Sequence, residues 1–336
     1  MNRIKKIITS VSLICCTLIF LVGCTNSTDK KEESNKSLTL DFVQTNRHDD
    51  SVNKFSMTYD TKPTRALAIT NAMIEMMLSL DLQKDMAGTA YAENNIWPPL
   101  KKAYDEVPVM SKTYPSKEQI LSNNVDFIIG WGGDFTDKGV GSIEWLKENN
   151  IKAYIPRATD NNANIDSVYE DFKNLGTIFE VPNKADEVIN KIKSELKETT
   201  SKIGKVDKKV KVLGYDSGTD KAVVVGGGLS NNIIELAQGE NIFGNMDKTY
   251  PQVSFEDIVK KNPDVIMVLE YSTNNGGKTF EEKVKELKSN DALKDVSAIK
   301  NNRFIKVDLA ELYPGERIPG TVKKLAKEFY PDKFKD

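Results

Sequence analysis

Cysteine and histidine are nearly absent from this sequence. Of its three cysteines, Cys15 and Cys16 fall within the first apolar run and Cys24 just beyond it. No cysteine follows in the remaining chain, which excludes a disulfide, a cysteine nucleophile or a thiolate metal site there. The single histidine, His48, lies in the polar stretch 46–50 and reads as a solvated turn residue. One histidine cannot build a multi-histidine metal centre, nor a Ser-His-Asp mechanism in a folded core. A basic excess is missing too. Residues 24–336 carry 44 Lys+Arg against 49 Asp+Glu, a net charge near −5, so nothing resembles a nucleic-acid footprint. Among so many carboxylates no pair stands out as general acid and base. Gly226-Gly227-Gly228 lacks the lysine and Ser/Thr of a phosphate loop and the spacing of a dinucleotide fingerprint. It reads as a tight turn into a helix starting near Ser230, although in a cleft its amides could meet an anionic ligand. These absences predict a chain that is no enzyme and has no cofactor or metal site of its own.

The only long apolar run, residues 7–21, is too short to span a bilayer as a mature helix. It follows Arg3, Lys5 and Lys6 and closes on Leu21-Val22-Gly23-Cys24, the order of an export signal. The last tetrad resembles a bacterial lipobox. We therefore expect a signal peptide over 1–23 and a lipid on Cys24. That lipid would tether the chain to the outer face of a cytoplasmic membrane of the Gram-positive type. Residues 25–37 contain no large apolar side chain, so 24–37 is expected to be a flexible tether.

The remaining chain is long enough for two domains. Residues 38–43 and 54–59 read as a hairpin. Strand and helix patterns then alternate: strand 65–69, helix 71–80, strand 125–130, helix 141–149, strand 152–155. The longest helical signal follows, with Ala185, Val188, Ile189, Ile192, Leu196 and Ile203 spaced by threes and fours after Pro182-Asn183. Such a helix measures roughly 30 Å, long enough to join two domains. Alternation then resumes with strand 210–215, helices 230–238 and 255–261, strands 265–270 and 303–308, and helix 321–329. The expected fold is α/β: two doubly wound lobes with parallel-rich sheets, 38–182 and 205–336, joined by a single helix over 183–204. An internal repeat supports two similar lobes. Residues 116–129 and 254–267 agree at six of fourteen positions, the pairs being Ser116/Ser254, Glu118/Glu256, Ile120/Ile258, Asn124/Asn262, Asp126/Asp264 and Ile128/Ile266. Each copy describes a serine-capped helix, a glutamate in its first turn and a buried strand.

The order of motifs resembles the binding proteins of iron–siderophore and cobalamin importers, the branch with a rigid interdomain helix. The resemblance rests on Pro63-Thr64-Arg65, on Glu75 in the helix that follows, on the two repeat copies, on Gly239-Glu240-Asn241-Ile242-Phe243, and on Ala298 to Arg303. It runs from about residue 38 to the end. One departure is Leu80-Asp81-Leu82, where the family usually has a glycine after the first helix. The resemblance implies a ligand cleft between the lobes, capture of a ferric siderophore or similar small chelate, and delivery to an ABC permease dimer with its ATPase. It implies a monomer with no nucleic-acid partner. Cobalamin, haem or an exported two-lobe enzyme are the alternatives. In that family the glutamates matching Glu118 and Glu256 dock into arginine pockets of the permease.

A cleft at the strand ends should be lined by aromatic residues and arginines just past apolar runs. In the first lobe these are Tyr91, Tyr114, Trp131 and Arg157. In the second they are Tyr215, Tyr271, Tyr313 and Arg317. Arginine pairing and aromatic contact would suit an anionic, flat-faced chelate.

Overall fold

The computed structural model describes residues 37–45, 52–271 and 277–335. The export signal, Cys24 and His48 lie outside these residues, as does all of the tether except Ser37. Strands β1 (Leu38–Thr45) and β2 (Val52–Tyr59) form an antiparallel hairpin with Leu38 opposite Tyr59. Its inward face buries Phe42 on β1 and Met57 and Tyr59 on β2, while alternate residues face out. Phe42 meets the edge of Tyr154 at 5.5 Å, and the Tyr59 hydroxyl donates to the Ala153 carbonyl at 2.6 Å.

The first lobe's sheet contains β3 (Ala66–Ile69), β4 (Met86–Ala90), β5 (Val109–Ser111), β6 (Phe127–Ile129) and β7 (Lys152–Tyr154). All are parallel, in the order β5-β4-β3-β6-β7. β3 and β6 are buried along their whole lengths, as expected of strands with both faces covered. Chain order reverses between β3 and β6, which opens a crevice at their carboxyl ends.

The second lobe repeats the plan. Its strands are β8 (Val210–Ser217), β9 (Ala222–Val224), β10 (Gly239–Asn241), β11 (Gln252–Val253), β12 (Val265–Glu270) and β13 (Phe304–Asp308). β8, β12 and β13 are parallel. One edge of β8 is shared: β10 pairs parallel with its start and β9 antiparallel with its end. β11 adds antiparallel to β9. The fold is thus the two-lobed, parallel-rich α/β arrangement read from the sequence.

The long helix is Pro182–Ile203, opened by proline at its first position and ended by Gly204 at φ 64°. All six apolar residues of its expected stripe are buried. That stripe packs on helix Ile165–Ile178 of the first lobe and helix Ile318–Phe329 of the second. One hydrophobic cluster therefore runs from the first sheet through the long helix into one face of the second sheet. The other face of that sheet has its own cluster. Elements absent from the sequence reading include β4, β5, the short strands β9, β10 and β11, and helices Ile165–Ile178 and Phe280–Ser289. Both helices carried a start signal, the capping boxes at Asn164 and Thr279.

The repeat has a physical basis in both lobes. Ser116 and Ser254 cap helices Lys117–Ser122 and Phe255–Lys261. Ile120 and Ile258 are buried beneath them, and Ile128 and Ile266 lie buried within the strands. Asn124 and Asn262 leave each helix in the left-handed region, at φ 51° and 46°, which asparagine tolerates. The Asp126 carboxylate accepts from the Thr64 and Arg65 amides, and Asp264 accepts from the Lys211 amide. Each aspartate thereby ties its helix–strand loop to the lead strand of its own lobe.

Candidate functional site

A cleft of about 660 Å³ lies between the lobes, at the carboxyl ends of both parallel sheets. Its size falls in the usual range for small-molecule sites. In the first lobe the lining includes Thr70 after β3, Tyr91 after β4, Trp131 after β6 and Ala158 to Asn161 beyond β7. In the second it includes Tyr271 after β12 and Leu309, Leu312, Tyr313 and Pro314 after β13, together with Ser230, Lys248, Thr249 and Tyr250. Six aromatic rings thus face one space: Tyr91, Tyr114, Trp131, Tyr250, Tyr271 and Tyr313.

Local backbone strain marks this rim. Thr70 has φ 70° and Tyr91 has φ 52°. A β-branched threonine in the left-handed region is costly, and such residues persist where tertiary contacts hold them. Thr70 is held by the Trp131 indole N–H, which donates to its hydroxyl at 2.9 Å. Asp134 organises the loop after β6. Its carboxylate accepts from the Trp131 amide at 2.8 Å and from the Tyr114 hydroxyl at 2.7 Å. Gly130 is needed there, since a Cβ would stand 2.9 Å from an Asp134 carboxylate oxygen. The hairpin pins the same loop: the Gln44 amide group donates to the Gly132 and Phe135 carbonyls. Tyr91 and Tyr114 pack with centroids 4.9 Å apart. Burial, then the carboxylates of Glu93 and Asp134, raise the Tyr91 hydroxyl above its ordinary pKa.

Asp171 supports the loop after β7 from below. It is fully buried and accepts from the Arg157 and Ala158 amides and the Tyr154 hydroxyl. Burial pushes its carboxyl up to about 7, against the pull of those hydrogen bonds. Behind the second wall, the Tyr271 hydroxyl donates to Asp216. Burial, then the neighbouring Asp216 charge, raises the Tyr271 hydroxyl far above its ordinary pKa.

Direct contacts close the lobes on each other. The Trp131 ring meets Tyr313 edge-on at 5.7 Å. The Asn161 side-chain oxygen accepts from the Thr249 hydroxyl at 2.8 Å, and that of Asn232 from the Ile165 amide at 2.9 Å. Arg317 reaches both oxygens of Glu75 and the Asn95 carbonyl. The three-glycine loop makes close approach possible. A Cβ on Gly227 would lie 2.6 Å from the Met246 carbonyl, and one on Gly228 within 3.3 Å of the Asp160 and Asn161 carbonyls. The amides of Gly226 and Gly227 donate to the Thr249, Met246 and Lys248 carbonyls. They serve the turn rather than an anionic ligand.

Of the eight residues expected at a cleft, the structure brings Tyr91, Tyr114, Trp131, Tyr271 and Tyr313 onto this one. Arg157, Tyr215 and Arg317 lie elsewhere. Tyr215 is buried in the second sheet, with its hydroxyl donating to the Gly218 carbonyl and burial raising it to about 12. It points sideways because it stands within β8 and not past its end. Arg157 is exposed and pairs with Glu170 at 3.5 Å. Arg317 is consumed by the buried ion pair with Glu75. Missed by the sequence reading were Thr70, Glu93, Asp134, Asp160, Lys248 and Tyr250. Only Tyr250 carried the signal used for the others, an aromatic in a polar loop before Pro251. Glu118 and Glu256 are exposed in the first turns of their helices. The Ser116 hydroxyl and its own backbone amide hold Glu118 below the usual carboxylate range.

Two similarly built α/β lobes, a helix packed between them through its apolar stripe and an aromatic cleft at their strand ends define a two-lobed binding protein. The chain belongs to the periplasmic binding protein family, whose sequence pattern matches residues 68–309. It is 26% identical over 325 residues to the ABC transporter substrate-binding lipoprotein YvrC of Bacillus subtilis, covering 95% of each chain. It matches the crystal structure of a periplasmic binding protein from Veillonella parvula with TM-score 0.79 and 31% identity, over 88% of this chain and 99% of that one. It is also 28% identical to the high-affinity heme uptake system protein IsdE of Staphylococcus aureus, over 48% of this chain and 54% of that protein. The heme-bound IsdE structure shares the fold, with TM-score 0.65 and 21% identity over 80% of this chain and 99% of that one.

Proposed function

We propose that this chain is the substrate-binding protein of an ABC importer, that it captures a ferric siderophore between its lobes, and that it hands the complex to a permease. The observation that carries this reading is the six-ring cleft of about 660 Å³ at the carboxyl ends of both sheets. Aromatic faces bind the flat, apolar flanks of a chelate through area and quadrupole. Among the described residues no group of three or more His, Cys, Asp and Glu side chains converges as a metal site. The iron is therefore read as arriving inside its chelator. The relatives named above are binding and uptake proteins, and we read this chain the same way, as a carrier rather than an enzyme. Lipid attachment at Cys24, on the outer face of the membrane, completes the proposal. The lipoprotein YvrC, similar along nearly the whole chain, supports it.

Haem is the second reading, favoured by the similarity to IsdE and by five cleft tyrosines, since a tyrosine can ligate haem iron. Quenching of tryptophan fluorescence separates the two, because Trp131 stands in the cleft. We expect saturable quenching by a ferric hydroxamate or a ferric catecholate. Saturation by haem or cobalamin, with neither chelate binding, would overturn the siderophore assignment.

The docking surface is proposed from the repeat. Five of its six shared residues have internal duties: a cap, two buried isoleucines, a left-handed exit and a tie to the lead strand. The sixth pair, Glu118 and Glu256, is exposed in the first turns of the two helices. One helical turn further on, Leu121 and Val259 occupy matching positions and are exposed at 44% and 36%. Each lobe thus presents a carboxylate beside an apolar side chain, a pattern suited to a permease of two like halves.

A further inference from the structure

Outside the cleft, one cluster of charged side chains joins both of its walls. Glu75 stands on helix Thr70–Ser79 of the first lobe, and Arg317 immediately precedes helix Ile318–Phe329 of the second. Their side chains are nearly buried, at 9% and 14% exposure. Neither is among the residues that line the cleft. Each instead bonds the backbone of a loop that does. The Glu75 carboxylate accepts from the Trp97 amide at 2.9 Å, and the Arg317 guanidinium donates to the Asn95 carbonyl at 3.0 Å. Asn94 in the same loop is bracketed by the Asn71 side chain, which accepts from its amide at 2.9 Å and donates to its carbonyl at 2.8 Å. That loop starts with Tyr91 and Glu93, on the first wall of the cleft. Arg317 itself closely follows Leu312, Tyr313 and Pro314, on the second wall.

A second pair braces the same place. Glu316 pairs with Lys191 of the long helix at 2.8 Å, and the glutamate side chain is only 9% exposed. The Lys191 ammonium also lies 5.8 Å from the centroid of the Trp97 ring. Trp97, Glu75, Arg317, Glu316 and Lys191 thus close a circuit through the first lobe, the second lobe and the helix between them. Burying a charge pair costs desolvation, so it adds little net stability over apolar side chains of like volume. Its distinctive contribution is geometry. A guanidinium fork fits a carboxylate in a defined orientation, whereas an apolar contact lets its partners slide.

We propose that Glu75 and Arg317 are positioning residues: they fix the Tyr91 loop against the Tyr313 loop and so hold the cleft in its binding form before a ligand arrives. This rests on the reading of the cleft as the ligand site. Without the pair, the walls would divide their time between the binding form and looser arrangements. Apparent affinity would then fall in proportion to the fraction lost, although no ligand contact had been removed.

The deciding variant is the apolar pair Glu75→Leu with Arg317→Met, made in the full chain. It should melt no lower than wild type, because apolar replacement of a buried pair is often neutral or stabilising. Hydrogen exchange is read first, without ligand. The Asn94 amide, which bonds Asn71, should exchange about tenfold faster or more, while the amides of strand β12 keep their rates. Stopped-flow quenching of tryptophan is read second, with a ferric trihydroxamate, a ferric catecholate, haem and cobalamin as probes. For the probe that wild type binds, association should slow about tenfold while dissociation changes less than about threefold. Arg317→Lys keeps the charge without the fork. It should show both effects in smaller measure, and it decides the matter if the apolar pair does not fold. Faster exchange with no probe bound by wild type upholds the positioning of the loops and removes the cleft as the site for these ligands. Unchanged exchange, or association at the wild-type rate, overturns the proposal. So does faster dissociation alone, which would make the pair a direct ligand contact.

Discussion

At the scale of single residues, Arg317 shows how one side chain can suit two roles equally well in sequence. An arginine past a polar loop invited a ligand contact. The fold instead places it against Glu75, 242 positions away, with both side chains nearly buried. Removing one member of a buried pair leaves an uncompensated charge and costs about 3–5 kcal/mol. Urea unfolding of Arg317→Ala should show a loss of about that size. Adding Glu75→Gln should recover a large part of it, because the stranded carboxylate is then gone. A double variant no better than the single would reject the explanation. Trp131 is the opposite case, since it lines the cleft and also bonds Thr70 and meets Tyr313. Trp131→Ala should weaken ligand binding about tenfold or more, as truncating central aromatic anchors does. Calorimetry with the bound chelate measures it. Asp171 gives a pH signature. Its native carboxyl lies near 7, against about 3.9 in the unfolded chain. Between those values the native state retains a proton that the unfolded state has released, so this residue's contribution to stability declines as pH rises from about 4 to 7. In Asp171→Asn the melting temperature should lose that downward slope across the same window. An identical slope in the variant would assign it to other groups.

At the scale of elements, apolar periodicity made the large pieces legible. The long helix, β12 and helix Phe255–Lys261 stand within a residue or two of where the pattern puts them. Short strands such as β5 and β9 were not legible. Three residues give too few alternations to fix a period. The departure at Asp81 also becomes intelligible. It sits at φ 58° after helix Thr70–Ser79, where glycine is the easier choice, and its carboxylate pairs with Lys184 of the long helix at 3.0 Å. The two repeat helices carry the docking prediction. Glu118→Ala with Glu256→Ala should leave chelate affinity and melting temperature nearly unchanged while cellular uptake falls about tenfold, as loss of two interface contacts would produce. Leu121→Ser with Val259→Ser should do the same. Wild-type uptake by both double variants, or a failure of chelate binding, would remove docking from these helices.

At the scale of the whole molecule, the apolar cluster through helix Pro182–Ile203 couples the lobes. Opening the cleft by a wide hinge would break that cluster together with the Glu75–Arg317 and Asn161–Thr249 links. Ligand binding should therefore change the radius of gyration in solution by about 1 Å or less, as for preorganised partners. Small-angle scattering with and without ligand tests this, and a change of several ångströms would mean that the helix bends or the clamps release.

The sequence by itself determined the two-lobe plan, because helical and strand periodicities and a repeated capped unit are properties of neighbouring residues. It also determined the aromatic character of the cleft, since residues just past buried strands must emerge at the strand ends. Charge at the site was decided only by the tertiary structure. Which arginines face a ligand and which are taken up by a buried carboxylate depends on partners such as Glu75 and Arg317, brought together from opposite lobes. No local pattern encodes that meeting, because the desolvation and pairing that settle it exist only once the lobes have closed.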